Sequence, residues 1–256
     1  MDPGIGKKLS MPDQIPPTGT LDALTAVLDS THVAPEVFGL RHDYRVMLLA
    51  VDGIEPGPSD EASEALLSAA EAWATQALAN QPANEVPHVA AWREAYRSFG
   101  AKPQRTRNSL EALMRRAANG LPRVNRLTDV YNAISLLHQV PLGGEDLGHY
   151  RGAPRLVRAT GEESFDTTAN GETVIEHPEP GEVVWCDDAG VTCRRWNWRQ
   201  CSRTSLTDET TTAVFILDAL DPMNDDELAA ATDALADALS GLGVEVRHSR
   251  RCIGAA

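Results

Sequence analysis

Apolar positions recur with helical spacing in the first half of the chain, alternate over short runs in the third quarter, and return to helical spacing near the end. LDALTAVLDST (21–31) predicts a short helix. DYRVMLLAVDGI (43–54), rich in aliphatic and β-branched residues and closed by Gly53, predicts a buried strand. Beyond the breaker EPGPSD, Ala62, Leu66, Ala69, Ala70, Trp73 and Leu78 mark a helix over 60–80. A second breaker, QPANEVP, precedes a helix that carries Trp92, Tyr96 and Phe99 on one stripe and stops at Gly100. That stripe reads as core rather than as a stacking surface. Asn108 with Glu111 three residues on predicts an N-cap and capping glutamate for SLEALMRRAAN, ending at Gly120. LTDVYNAISLLHQ (127–139) predicts a helix with Val130, Ile134 and Leu137 inward, followed by VPLGGEDLGHYRG as a loop.

From 153 to 218 the period shortens. RLVRAT, ETVIEH, EVVWCD, VTCRRWNWRQ and TTAVFILDAL are separated by Gly, Pro and Asp turns, the spacing of a mostly antiparallel sheet. Asn224 and Glu227 then open a last helix with Leu228, Leu235, Leu239 and Leu242 along one side. Helices before and after a block of strands predict an α+β fold, a mostly antiparallel sheet flanked by helices. Residues 1–20 lack an apolar run and read as a mobile tail, not a signal or anchor. Residues 21–86 read as an N-terminal α/β extension packed on the main domain, and 87–256 as that domain.

Charge changes this picture more than composition does. The 256 residues are 42% hydrophobic and carry a net charge of −14, against non-specific nucleic-acid binding over a large surface. The charge is uneven: residues 20–85 sum to −9 and 204–246 to −10, whereas 93–126 sum to +7. This basic island is either a solvated helix face balancing acidic neighbours or a local phosphate-contact patch. Cys186, Cys193, Cys201 and Cys252 contain no C-x-x-C pair, so no zinc site or other cofactor is expected. Reduced thiols and the lack of about 18 consecutive apolar residues predict a cytoplasmic chain with no membrane partner. No phosphate-binding glycine loop and no G-x-S-x-G elbow occur.

CRRWNWRQ (193–200) concentrates donors and indoles. As a strand it would put Arg194, Trp196, Trp198 and Gln200 on one face, and Cys193, Arg195, Asn197, Arg199 and Cys201 on the other. One reading is a row of guanidinium and amide donors aimed at carboxylate, phosphate or carbonyl oxygens. The other buries the two indoles and pairs Arg195 and Arg199 with surface acids.

HVAAWREAYRSFGAKPQRTRNSLEALMRR, LPRVNRLTDVYNAISLLHQVPLGGEDL and GEVVWCDDAGVTCRRWNWRQCSRT follow one another in an order that resembles freestanding relatives of the B-three/B-four domain. That domain is the tRNA-binding and editing module of the phenylalanine–tRNA synthetase beta subunit. The resemblance covers roughly half the chain and implies that module's fold. LTDVYN is similar to the synthetase's V-D-[IV]-T-N, which implies Asp129 and Asn132 as pocket residues. VPLGGED stands where the synthetase has Q-P-[LM]-H-A-F-D, with Gly143 in place of the pocket histidine. The Gly143–Gly144 pair allows close backbone approach and N–H donors, and Glu145 offers a carboxylate to a ligand α-ammonium. RRWNWRQ takes the place of a glycine-rich pocket strand, which implies Arg195, Asn197, Trp198 and Arg199 as pocket residues. Asp218 takes the place of the carboxylate ending the family's next strand.

The resemblance implies a trans-acting aminoacyl-tRNA deacylase, without metal, in which water attacks the aminoacyl ester and Asn132 and Asn197 are catalytic. In this reading Arg93, Arg97, Arg105, Arg107, Arg115 and Arg116 contact tRNA phosphates. The alternative is a module of the same fold that binds tRNA or an amino acid without hydrolysis.

Overall fold

A computed structural model of the chain describes residues 20–169 and 171–255; the expected tail, apart from Thr20, lies outside the described residues. The first elements are α1 (Leu21–Ser30), β1 (His32–Val33), α2 (Pro35–Leu40) and β2 (Arg45–Asp52). Four helices follow: α3 (Glu61–Leu78), α4 (Pro87–Ser98), α5 (Ser109–Ala117) and α6 (Arg126–Leu137). The strand block comprises β3 (Leu142–Asp146), β4 (Arg155–Arg158), β5 (Phe165–Ala169), β6 (Glu172–Glu176), β7 (Val183–Asp187), β8 (Gly190–Arg194), β9 (Arg199–Gln200) and β10 (Thr212–Ala219). The described chain ends with α7 (Asp225–Ser240) and β11 (Arg247–Gly254). The architecture is α+β. Among the described residues no helix is long and apolar enough to cross a membrane.

Two sheets face each other. One has the order β1-β4-β7-β8-β9, and the other β11-β2-β10-β3; β5 and β6 form a separate hairpin. β2, within the segment expected as an extension, lies between β10 and β11, antiparallel to both. Every residue of β10 is buried because both of its faces are covered. On one face Val46, Leu48, Ala50, Val214 and Ile216 pack towards Leu156, Val183 and Trp185 of the other sheet and Trp92 and Tyr96 of α4. On the other face Leu49, Val51, Phe215 and Leu217 pack against apolar residues of α6 and α7. α3, α5 and α6 share a further apolar cluster.

Three local expectations change. VPLGGED is not a loop: Leu142–Asp146 is an edge strand paired with β10. Residues 191–201 are not one strand, because Arg195 and Trp196 adopt φ of 49° and 70° and turn the chain between β8 and β9. A left-handed Trp is strained. It is held here because its indole packs against Tyr44 at 4.9 Å and Trp92 at 5.3 Å between ring centroids. Glu182 fixes the same turn, accepting from Arg194 Nε at 2.9 Å and from the Arg195 N–H at 3.2 Å. Glu111 also departs from the expected cap: Asn108 caps α5, but the Glu111 carboxylate turns inward to Arg93 and Arg115.

Candidate functional site

Between the two sheets, closed from the side by α5 and α6, lies a cavity of about 240 Å³. Strand register builds its floor. Gly143 stands opposite Ile216 and Glu145 opposite Val214, and Asp218 is two residues beyond Ile216 on the same face. Glu145, Gly143, Ile216 and Asp218 all line the cavity. The two carboxylate-bearing positions are four residues apart in register, about 13 Å along the strands. The β8–β9 turn forms the facing wall with Trp196, Asn197, Trp198, Arg199 and Gln200. Tyr131 and Asn132 come from α6, and Ser109, Ala112 and Leu113 from α5.

Both oxygens of the Asp218 carboxylate are hydrogen-bonded. Tyr44 donates its hydroxyl to Asp218 Oδ1 at 2.7 Å, and Asn197 Nδ2 donates to Oδ2 at 3.2 Å. Tyr96 donates to Asn197 Oδ1 at 2.9 Å. The Asn197 amide is thus held at both ends. Burial pushes the Asp218 carboxyl up to about 7, against the lowering effect of the Tyr44 and Asn197 bonds. The Asn132 side-chain amide, in contrast, has no hydrogen-bond partner among the described residues.

The Glu145 end is incomplete. Tyr150 and Thr204 donate to Oε2 at 2.6 and 3.1 Å, while Oε1 has no partner. Burial raises this carboxyl to about 6, opposed by the hydroxyls of Tyr150, Thr204 and the neighbouring Thr192. Trp185 Nε1 and Ser109 Oγ, from two other lining residues, are also buried without partners. Unsatisfied buried polar atoms are uncommon, and their gathering around one hollow points to a polar occupant. Cys193 lines the cavity too, but burial raises its thiol well above the usual range, which disfavours a thiolate nucleophile.

The structure brings together Asn132, Gly143, Glu145, Asn197, Trp198, Arg199 and Asp218 of the residues expected from sequence. It places three elsewhere. Asp129 accepts from Ser59 and from the Val124 N–H, pinning the chain before α6. A Cβ on Gly144 would meet Phe215 at 2.7 Å, so this residue faces the opposite side of the sheet. Arg195 pairs with Glu182 at 3.3 Å and lies over the Trp198 ring at 4.5 Å, lining a different crevice with Phe99 and Glu179. Gly143 also offers no free N–H: the Leu142–Leu217 pairing, flanked by the Asp218 N–H bond to Pro141, commits it to Ile216. Of the two readings of this stretch, the row of free guanidiniums does not form, and the arginines pair with acids. Arg194 is buried on Glu182 and Glu176, and Arg199 lies 3.5 Å from Glu176.

Sequence reasoning missed the tyrosines. The chain has four, and Tyr44, Tyr96 and Tyr150 each bond a polar residue of the cavity while Tyr131 lines it. Their scarcity in a long chain was the available signal. In the basic island Arg93 is bound to buried Glu111 at 2.9 Å, Arg115 to the same carboxylate at 3.0 Å, and Arg97 to Glu94. Arg107 is exposed and 3.7 Å from Glu111. Arg105 and Arg116 are exposed with no ion-pair partner among the described residues.

A family model described as the B3/4 domain matches residues 91–241. Among solved structures, the chain is similar to an N-terminal fragment of the phenylalanyl-tRNA synthetase beta-subunit from Pyrococcus horikoshii. That similarity is at 12% identity and a TM-score of 0.43, over 85% of this chain and 50% of that one. This chain therefore spans half the length of that fragment. No curated protein matches.

Proposed function

The chain belongs to the B3/4 domain family, and from that premise we propose that its cavity receives the aminoacylated 3′ end of a tRNA and hydrolyses the ester. The observation that carries this reading is the pair of carboxamides in one hollow. Asn197 is locked by Tyr96 and Asp218, and Asn132 has no partner among the described residues.

An aminoacyl ester is already activated, so the site has to orient the carbonyl, admit water and stabilise the oxyanion that forms. With one Nδ2 hydrogen on Asp218, Asn197 has a second for the carbonyl oxygen. Asn132 supplies another donor from the facing helix. Water adds to the carbonyl carbon and the C–O ester bond breaks. The terminal ribose oxygen leaves with the proton that water gives up, and the free amino acid departs. Burial of the Cys193 thiol supports direct attack by water over a thioester. Ser109, Ala112 and Leu113 of α5 line the cavity. The exposed Arg105 and Arg107 precede that helix and the exposed Arg116 lies in its last turn, Arg105 and Arg116 without an ion-pair partner among the described residues. They are the side chains best placed to hold phosphates.

The test is to incubate the chain with a panel of aminoacylated tRNAs and follow loss of the label. Release above the spontaneous rate, lowered by Asn132→Ala and Asn197→Ala in folded protein, is expected. No release from any of them overturns the hydrolase reading, and salt-sensitive binding without release supports a non-catalytic module instead.

A further inference from the structure

The Glu145 end of the cavity is not used by the chemistry above. Glu145 is 1% exposed, its Oε2 is filled by two hydroxyls, and its Oε1 makes no hydrogen bond among the described residues, with the neutral Thr192 hydroxyl as a neighbour that brings no charge. No cation of the protein answers it. Of the other charged residues in the cavity wall, Asp218 has the same sign, and Arg199 is turned to Glu176 and to Thr167, the latter at 2.6 Å. Asp187, the charge with the largest influence on it, is also negative and is itself paired with Arg203. A buried carboxylate with an open oxygen needs a cation or a proton. The same cavity holds the opposite deficiency, because Trp185 Nε1 is a buried donor with no acceptor.

An α-aminoacyl ester carries both complements: an ammonium that donates, and two ester oxygens that accept, so Trp185 can be answered without taking the carbonyl from Asn197 and Asn132. Resting on the reading of the cavity as an aminoacyl site, we propose that Glu145 Oε1 is an ammonium subsite. The ligands are then α-aminoacyl esters with a free amine, and N-blocked esters (acylated, formylated or peptidyl) are refused. A blocked nitrogen is an uncharged amide with a single N–H. It leaves the buried carboxylate without its counter-ion and brings a bulky group against the Tyr131 and Trp185 walls. The cavity would thus separate aminoacyl from peptidyl or initiator-type esters by charge, without reading the side chain.

The probes are methyl esters of alanine, serine and phenylalanine, each beside its N-acetyl counterpart. They are titrated at neutral pH against the whole chain, following the fluorescence of the cavity-lining tryptophans. At least one free-amine ester should bind tenfold or more tightly than its N-acetyl partner, and Glu145→Gln should erase that preference. Equal affinity within every pair, no binding of any free amine, or a preference that survives Glu145→Gln overturns the subsite. The wild-type pairs decide the matter alone if the variant fails to fold. Amine-dependent binding without turnover of any aminoacyl-tRNA leaves the subsite standing and removes the hydrolase. Turnover of N-acetylated and free aminoacyl-tRNA at equal rates does the reverse.

Discussion

Asp218 and Glu145 are two buried carboxylates on the same face of one sheet, both raised by burial, yet their surroundings differ in kind. Asp218 has a donor on each oxygen, and those donors belong to side chains that hold one another. Glu145 has two donors on one oxygen and no hydrogen bond on the other among the described residues, where the Thr192 hydroxyl is the neighbour. Identical chemistry at two ends of one hollow therefore serves two purposes: one end fixes protein geometry, and the other waits for a charge from outside. Burial alone does not distinguish these roles. The count of partners per oxygen does.

Removing the charge at the closed end has the largest expected effect. Asp218 ionises near pH 4 when unfolded and at about 7 when folded. The folded state is thus favoured below the unfolded value, and that contribution disappears as pH rises through 7. Asp218→Asn has no such titration. Relative to wild type it should gain stability between about pH 4 and 7, by up to about 4 kcal/mol in urea denaturation. A difference that stays flat with pH would show that burial does not hold the Asp218 proton.

Breaking the clamp at its functional member comes next. Asn197→Ala should slow ester release by about 100-fold, the effect of losing one oxyanion donor, with far-UV circular dichroism unchanged. A loss of folded signal in step with activity would assign Asn197 to structure instead. Tyr96→Phe keeps the ring and removes one hydrogen bond to Asn197. It should cost about 1 kcal/mol of stability and lower kcat more than it raises KM, whereas a purely structural Tyr96 would leave kcat intact. The smallest effect lies outside the cavity. Arg105→Ala combined with Arg116→Ala should weaken tRNA binding and reduce the slope of log affinity against log salt by about 2. The same exchange at Arg93, already bound to Glu111, should disturb stability more than the salt slope.

The helices and the strand block were legible because their apolar periods are strong and their caps are written locally. Asn224 and Glu227 do form a capping box on α7, and Asn108 does cap α5. The basic island was visible as charge, but which of its arginines are free was not. Glu111 lies 18 residues from Arg93 and is wholly buried, so their pairing depends on how α4 and α5 pack. The turn at Arg195 and Trp196 was hidden for a related reason. Left-handed positions usually go to Gly or Asn, and here packing of an indole overrides local preference. The cavity was legible only in part. Asn132, Glu145, Asn197 and Asp218 were named through the family resemblance rather than by any local pattern, and Tyr44 meets Asp218 across 174 residues and Tyr96 meets Asn197 across 101. No local pattern encodes such meetings.

The place of β2 between β10 and β11 has a temporal consequence. Its Asp52 carboxylate accepts from Thr212 across 160 residues and from Arg247 across 195. A nascent chain therefore carries this oily strand with both edges bare until residues 212–254 have left the ribosome. Cells making this protein at high rates should show its growing chains held by chaperones, and slowed synthesis ahead of residue 212 should lengthen that dependence rather than relieve it.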